Sequence, residues 1–296
     1  MTCEYSPHEK TDPIFSVDNI EPYLKRSGRV AVTIAQSVIT FDLTNPHERR
    51  YAACYVANVN YPQMDIDKLL FQRLIRDNDV VLDAGANIGL TALQCLDSGA
   101  RIVCCVEPIH ELAERIRQIR NPQIVCHEVA LSHRSGTVEM VISTTNNQST
   151  TYRQEIVEAF RPAFGHKLIT APALTATIDS LHEVDGPFDV WKLDIEGAEL
   201  DAICGARNTL SNRPPRTIIV ESYDPFFREI CSELTPTHPH VFRSLISKTN
   251  YELTFLTPSE AVRRQDDFYQ TSPMYVFLMN PPEFELGFRG AIERSG

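Results

Sequence analysis

Apolar residues recur along the chain with two periods, and the alternation between them predicts an α/β fold. Short buried runs at 80–82, 101–106, 124–131, 188–193 and 217–220 have the length of parallel strands covered on both faces. Segments with helical spacing separate them, at 65–75, 90–96, 112–119 and 198–210. Before this core, residues 29–34 and 37–42 alternate as a hairpin turning at Ala35-Gln36, and 46–50 break the pattern at Pro46. Residues 51–61 read as helix or loop. After the core, 136–143 reads as an extra strand and 240–248 as a helix. Residues 251–256 and 274–279 read as two final strands pairing antiparallel at the sheet edge. Two stretches lack periodicity: the polar run 144–151, and 152–172, which carries Phe160 and Phe164 beside Arg153, Arg161, His166 and Lys167. A loop of that length inside a compact domain points to a substrate loop or a mobile surface segment.

The chemistry concentrates at the first core strand. Asp79-Val-Val-Leu-Asp-Ala-Gly-Ala-Asn-Ile-Gly-Leu-Thr-Ala92 reads as strand, glycine turn and helix, an arrangement in which backbone and helix N–H groups approach a nucleotide-type ligand. Gly85 and Gly89 lack the G-x-G pair of the dinucleotide fingerprint, and no P-loop Lys follows. Asp83 at the strand end would repel a pyrophosphate. It suits a cationic ligand without phosphate, such as S-adenosylmethionine. The second strand ends in Glu107-Pro108, and Glu107 lies 24 residues after Asp83, about where a β-α-β unit sets a carboxylate on ribose hydroxyls.

Four blocks resemble the FkbM family of S-adenosylmethionine-dependent methyltransferases: Val81-Leu-Asp-Ala-Gly-Ala-Asn-Ile-Gly89, Val106-Glu-Pro108, the run from Thr177-Ile-Asp-Ser-Leu181 to Phe188-Asp-Val-Trp-Lys-Leu-Asp-Ile-Glu-Gly-Ala-Glu199, and Ile218-Ile-Val-Glu221. The resemblance implies a class I, Rossmann-like fold, a mostly parallel sheet of about seven strands with helices on both faces. It implies O-methylation of a hydroxyl on a sugar or secondary metabolite. Asp83, Gly85, Ala86, Asn87, Gly89 and Thr91 would then line the amino-acid end of the cofactor. Glu107 and Pro108 would meet its ribose, and Ala130 and Leu131 its adenine.

Transfer to a hydroxyl needs a proton acceptor near the methyl group. The carboxylates at the fourth and fifth strand ends are the candidates: Asp194 first, which also faces the cofactor, then Glu196 and Glu221. Lys192, Asp194 and Glu196 point the same way if the strand persists. Glu196 and Glu199 have an alternative role as caps of the following helix. Asp194, Glu196 and Glu221 also have the oxygen donors for Mg²⁺, although no spacing demands a metal. His133 and His166 are weaker candidates for the base. Asn280-Pro281-Pro282 resembles a motif of enzymes that methylate exocyclic amines in nucleic acids, but it follows the last strand instead of the fourth.

Composition narrows the partners. A net charge of −11 argues against a nucleic-acid or anionic-membrane surface. The eight cysteines show no C-x-x-C or zinc spacing and read as apolar core in a reducing compartment. The first residues have neither the basic region nor the apolar run of a signal peptide, and the chain is expected to be cytoplasmic. The expected partner is a small acceptor with a free hydroxyl. Residues 1–62 are expected to form an N-terminal extension over the ligand site, 63–285 the methyltransferase domain with a substrate loop at 144–172, and 286–296 a tail. The competing functions are a non-catalytic cofactor- or partner-binding protein on the same fold, a protein methyltransferase, and a nucleotide-dependent oxidoreductase.

Overall fold

The computed structural model describes residues 24–144, 148–159, 161, 165, 167–223 and 226–281. The hairpin forms as expected, β1 (Arg29–Ile34) on β2 (Ser37–Asp42), with Ile34 opposite Ser37 and positive φ at both Ala35 and Gln36. That geometry matches the twist of the flanking strands. Pro46 breaks the strand pattern because it starts α1 (Pro46–Ala57). Its fixed φ suits the first helical position, and the Asn45 side chain accepts from the His47 and Glu48 amides. Helix α2 (Pro62–Leu74) follows and leads into β3 (Val80–Ala84), which is buried throughout.

Strand β3, helix α3 (Leu90–Asp97), β4 (Ile102–Val106), α4 (His110–Gln118) and β5 (Ile124–His127) form consecutive parallel units. The chain later returns to the other side of β3 with β10 (Val190–Leu193) and β11 (Thr217–Glu221), also parallel. The reversal of strand order beside β3 opens a crevice at the carboxyl ends of β3 and β10, the position where open α/β sheets bind ligands. Among the described residues the sheet has eight strands, one more than expected, in the order β13-β12-β14-β11-β10-β3-β4-β5. Apolar residues alternate between its two faces. Val81, Val103 and Ile219 pack on one core, and Leu82, Trp191 and Leu193 on the other.

The extra strand corrects the reading of 240–248. This segment is β12 (His240–Ile246), lying between β14 (Met274–Leu278) and β13 (Leu253–Leu256), so the two final strands do not pair with each other. Phe242, Leu245 and Ile246 have i, i+3, i+4 spacing and mimic a helix. Pairing with the free edge of β14 decides otherwise.

A second, four-stranded sheet lies beside the first in the order β6-β9-β7-β8. The run 124–131 divides between the two sheets, since β6 (Ala130–Leu131) leaves the main sheet and pairs with β9 (Leu168–Ala176). Strand β7 (Gly136–Ser143) pairs with β9 along its whole length and with β8 (Thr150–Thr151). Strand β9 replaces the end of the expected loop. Pro172 fits within β9 because β6 reaches only Thr175 and Ala176, so Pro172 needs no partner on that side. Within 152–172 there is also α5 (Gln154–Ala159). Helix α6 (Ile178–Asp185) follows β9. The helix expected over 198–210 is two, α7 (Glu199–Cys204) and α8 (Arg207–Asn212), broken at Gly205. A Cβ there would stand 2.3 Å from the Ser132 carbonyl oxygen. No helix among the described residues is long and apolar enough to cross a membrane.

Candidate functional site

The turn after β3 is pressed backbone to backbone against the end of β10. Asp194 N donates to Ala84 O at 3.2 Å, and a Cβ on Gly85 (φ +79°) would lie 1.8 Å from Asp194 O. Only glycine fits there. The turn also bonds the next strand. Asn87 N donates to Glu107 Oε2 at 3.0 Å, and Ile109 N to Oε1 at 2.9 Å. Burial pushes the Glu107 carboxyl up to about 7, against those two amides, which favour its charge.

These elements enclose a cavity of about 350 Å³ at the crevice. Gly85, Ala86, Asn87 and Thr91 line it along the turn, and Glu107 and Pro108 after β4. Ala130 and Leu131 of β6 form an apolar stretch of its wall, and Asp194, Glu196 and Glu221 line it at the ends of β10 and β11, with Asp194 packed against the Gly85 turn. Two of the residues expected on the ligand are elsewhere. Gly89 turns toward α4, where a Cβ would meet Ile119 Cδ1 at 2.7 Å. Asp83 is fully buried behind the wall, accepting from Thr91 Oγ1 at 2.6 Å and lying 3.7 Å from Lys192 Nζ. Burial raises its pKa above the ordinary carboxylate value against the pull of Lys192 and Thr91, and it does not line the cavity.

Lys192 is also fully buried, with Nζ 3.0 Å from Asp194 Oδ2. Burial alone would lower its pKa, but Asp194, Asp83 and Asp67 together hold it above the ordinary value. At the ends of β10 and β11, one oxygen each of Asp194, Glu196 and Glu221 lies within 4.8 Å of the others. Two unit charges at that spacing repel by about 3 kcal/mol at an effective dielectric of about 20. Burial first, and the Asp194 charge second, push both Glu196 and Glu221 well above the ordinary carboxylate range. Glu196 also has φ +54°, a left-handed conformation disfavoured outside glycine, which turns it toward the cluster instead of continuing β10. Glu199 is not part of this group. Its Oε1 accepts from Ile195 N at 2.8 Å and Gly197 N at 3.2 Å, so it fastens the turn before α7.

Several wall residues carried no sequence signal. Asp67 on α2 faces the cavity with Oδ1 buried and without a hydrogen bond, and burial raises its pKa to about 7. Tyr51 and Tyr61 of the N-terminal segment line the wall. Tyr51 Oη accepts from Gln148 Nε2 at 3.0 Å. Gln63 Nε2 donates to Ser272 Oγ at 2.6 Å, tying the start of α2 to the strand β14 approach. Of the expected substrate loop, Gln148, Ser149, Thr150 and Tyr152 reach the cavity, while 145–147, 160, 162–164 and 166 lie outside the described residues. His166 is among the latter. His133 is off the wall, with Nδ1 3.5 Å from Ser132 Oγ. The seven cysteines among the described residues are all unpaired.

Residues 83–253, more than half of the chain, match the family described as the Methyltransferase FkbM domain. Comparison with curated proteins returned no match. Among solved structures, the chain is similar to M. jannaschii TYW2 in complex with AdoMet, at 8% identity and a TM-score of 0.39 over 86% of this chain and 87% of that one. It is similar to the C-terminal domain of precorrin-6Y C5,15-methyltransferase from Rhodobacter capsulatus, at 9% identity and a TM-score of 0.36 over 71% and 84%. A putative RNA methyltransferase from Pyrococcus horikoshii aligns at 12% identity and a TM-score of 0.36 over 73% and 80%.

Proposed function

Because this chain belongs to the FkbM methyltransferase family, we propose that it transfers a methyl group from S-adenosylmethionine to a hydroxyl of a small acceptor, a sugar or a secondary metabolite. The observation that carries this reading is one cavity lined by two chemically different groups, at the strand ends of β3 and β4 and at those of β10 and β11. In the first group Glu107, already fixed by two amides, keeps lone pairs for ribose hydroxyls. The Gly85–Asn87 backbone takes the amino-acid end, and Ala130 and Leu131 flank adenine. Carboxylates dominate the second group, with Lys192 as counter-ion, and that surplus favours a sulfonium cation.

In the reaction the acceptor oxygen attacks the methyl carbon in line with the C–S bond. The C–O bond forms, the C–S bond breaks, and its electron pair stays on sulfur, giving S-adenosylhomocysteine. The acceptor proton passes to Glu196 or Glu221. Their raised basicity suits a general base, and the arriving sulfonium charge opposes the crowding that keeps them protonated. Asp194, held by Lys192, faces the cofactor and orients this end. The three clustered carboxylates also fit Mg²⁺, which would polarise the acceptor oxygen and hold it among them.

The test is formation of S-adenosylhomocysteine from labelled cofactor with a panel of glycosides and hydroxylated metabolites, with and without EDTA. Turnover on a hydroxylated acceptor supports the reading. Turnover confined to intact protein or amine acceptors overturns the O-methyl assignment.

A further inference from the structure

We propose that Cys104, His127 and Asp185 form a zinc site separate from the methyl-transfer cavity. Cys104 lies in the middle of β4 and is fully buried, His127 ends β5, and Asp185 ends α6. None of the three lines the cavity. Their donor atoms converge. His127 Nε2 is 2.6 Å from Asp185 Oδ2, Cys104 Sγ is 4.0 Å from the same oxygen, and all three ligand atoms lie within 4.8 Å of one another. A mixed sulfur, nitrogen and oxygen set is the chemistry of zinc, whereas Mg²⁺ and Ca²⁺ take oxygen alone.

The spacing is close to what the metal needs. Zinc bonds of about 2.0–2.3 Å in a tetrahedron set neighbouring donors about 3.5 Å apart. The His–Asp pair must open by under about 1 Å and the Cys–Asp pair close by about half of that. Side-chain rotation supplies both, because His127 and Asp185 keep 27% and 19% of their side-chain surface exposed. That exposure also leaves a fourth position for water. The same geometry disfavours a nucleophilic relay. Thiol and imidazole both address one carboxylate oxygen, so the imidazole does not stand between base and nucleophile, and the thiol has no access to a substrate. A bound ion would tie β5, which among the described residues is an edge strand paired with β4 alone, to the segment that leads from α6 into β10.

The experiment uses the full chain, stripped with a chelator and titrated with zinc and, as a spectroscopic probe, with cobalt(II). The wild type should retain one equivalent of zinc, gain thermal stability with it, and show a thiolate-to-cobalt charge-transfer band. The band should vanish in Cys104→Ser and weaken with at least about a tenfold loss of affinity in His127→Gln. It should persist in Cys231→Ser. If Cys104→Ser does not fold, His127→Gln decides, since its side chain is partly exposed. Absence of the band in the wild type, or its survival unchanged in His127→Gln, overturns the proposal.

Discussion

The strand ends of β3 and β4 and those of β10 and β11 line the cavity on opposite principles. Around the β3 turn most polar groups are matched within the protein, the exception being Asp83 Oδ1, which is buried without a hydrogen bond. Asn87 and Ile109 amides hold Glu107, and Thr91 and Lys192 hold Asp83. At the ends of β10 and β11, Asp194, Glu196 and Glu221 crowd one another, with Asp67 nearby and Lys192 as the buried cation beside Asp194. A matched end binds by shape and does not rearrange when the ligand arrives. A crowded end is relieved only by protons or by an incoming positive charge, and so responds to the state of the ligand. In a methyltransferase those are the separate requirements of holding a cofactor and of moving a proton during transfer.

The strongest way to break the comparison is to damage both ends at once. Gly85→Ala places a Cβ against the Asp194 carbonyl. It should weaken S-adenosylhomocysteine binding by more than about 100-fold and destabilise the fold by on the order of 3 kcal/mol, read by calorimetry and thermal melting. Next, Glu221→Gln should lower kcat by about 10²- to 10⁴-fold while leaving product affinity nearly unchanged, measured on the first acceptor that turns over. The converse variant, Glu107→Ala, should weaken cofactor binding by about 10- to 100-fold, the worth of one or two hydrogen bonds to a carboxylate, and keep kcat at saturating cofactor. The smallest effect sharpens the electrostatic side. Asp67 and Glu107 have carboxyls raised to about 7 by burial. The folded protein therefore binds more protons than the unfolded chain between about pH 4 and pH 7. The stability these groups contribute is complete below the unfolded value and is lost as pH rises through 7. The melting temperature of the ligand-free protein should fall by a few degrees between pH 5 and pH 8, and Asp67→Asn should flatten that slope.

How far the sequence could be read follows the same division. The matched end is local. Gly85, Asn87 and Glu107 belong to one strand–turn–helix–strand unit, so spacing along the chain locates them. Lys192 and Asp194 were legible because a strand places alternate residues on one side. Asp83 lies behind the cavity wall, and its direction depends on Thr91 and Lys192, which a strand-end motif does not reveal. Asp67, Tyr51 and Gln148 come from three separate segments that meet only after packing, and nothing in their local pattern sets them apart. The same limit explains β12, whose apolar spacing fits a helix as well as a strand until β14 presents an edge. It also explains β9, where Pro172 forbids a central strand but not one with a free side.

The most direct test of the account is calorimetry of S-adenosylhomocysteine binding to the wild type, Glu107→Ala and Glu221→Gln under one set of conditions. The account predicts micromolar binding by the wild type, marked weakening in Glu107→Ala, and near-wild-type binding in Glu221→Gln. No binding by a well-folded wild type, or equal loss in both variants, would contradict the assignment of cofactor binding to Glu107 and of proton transfer to Glu221.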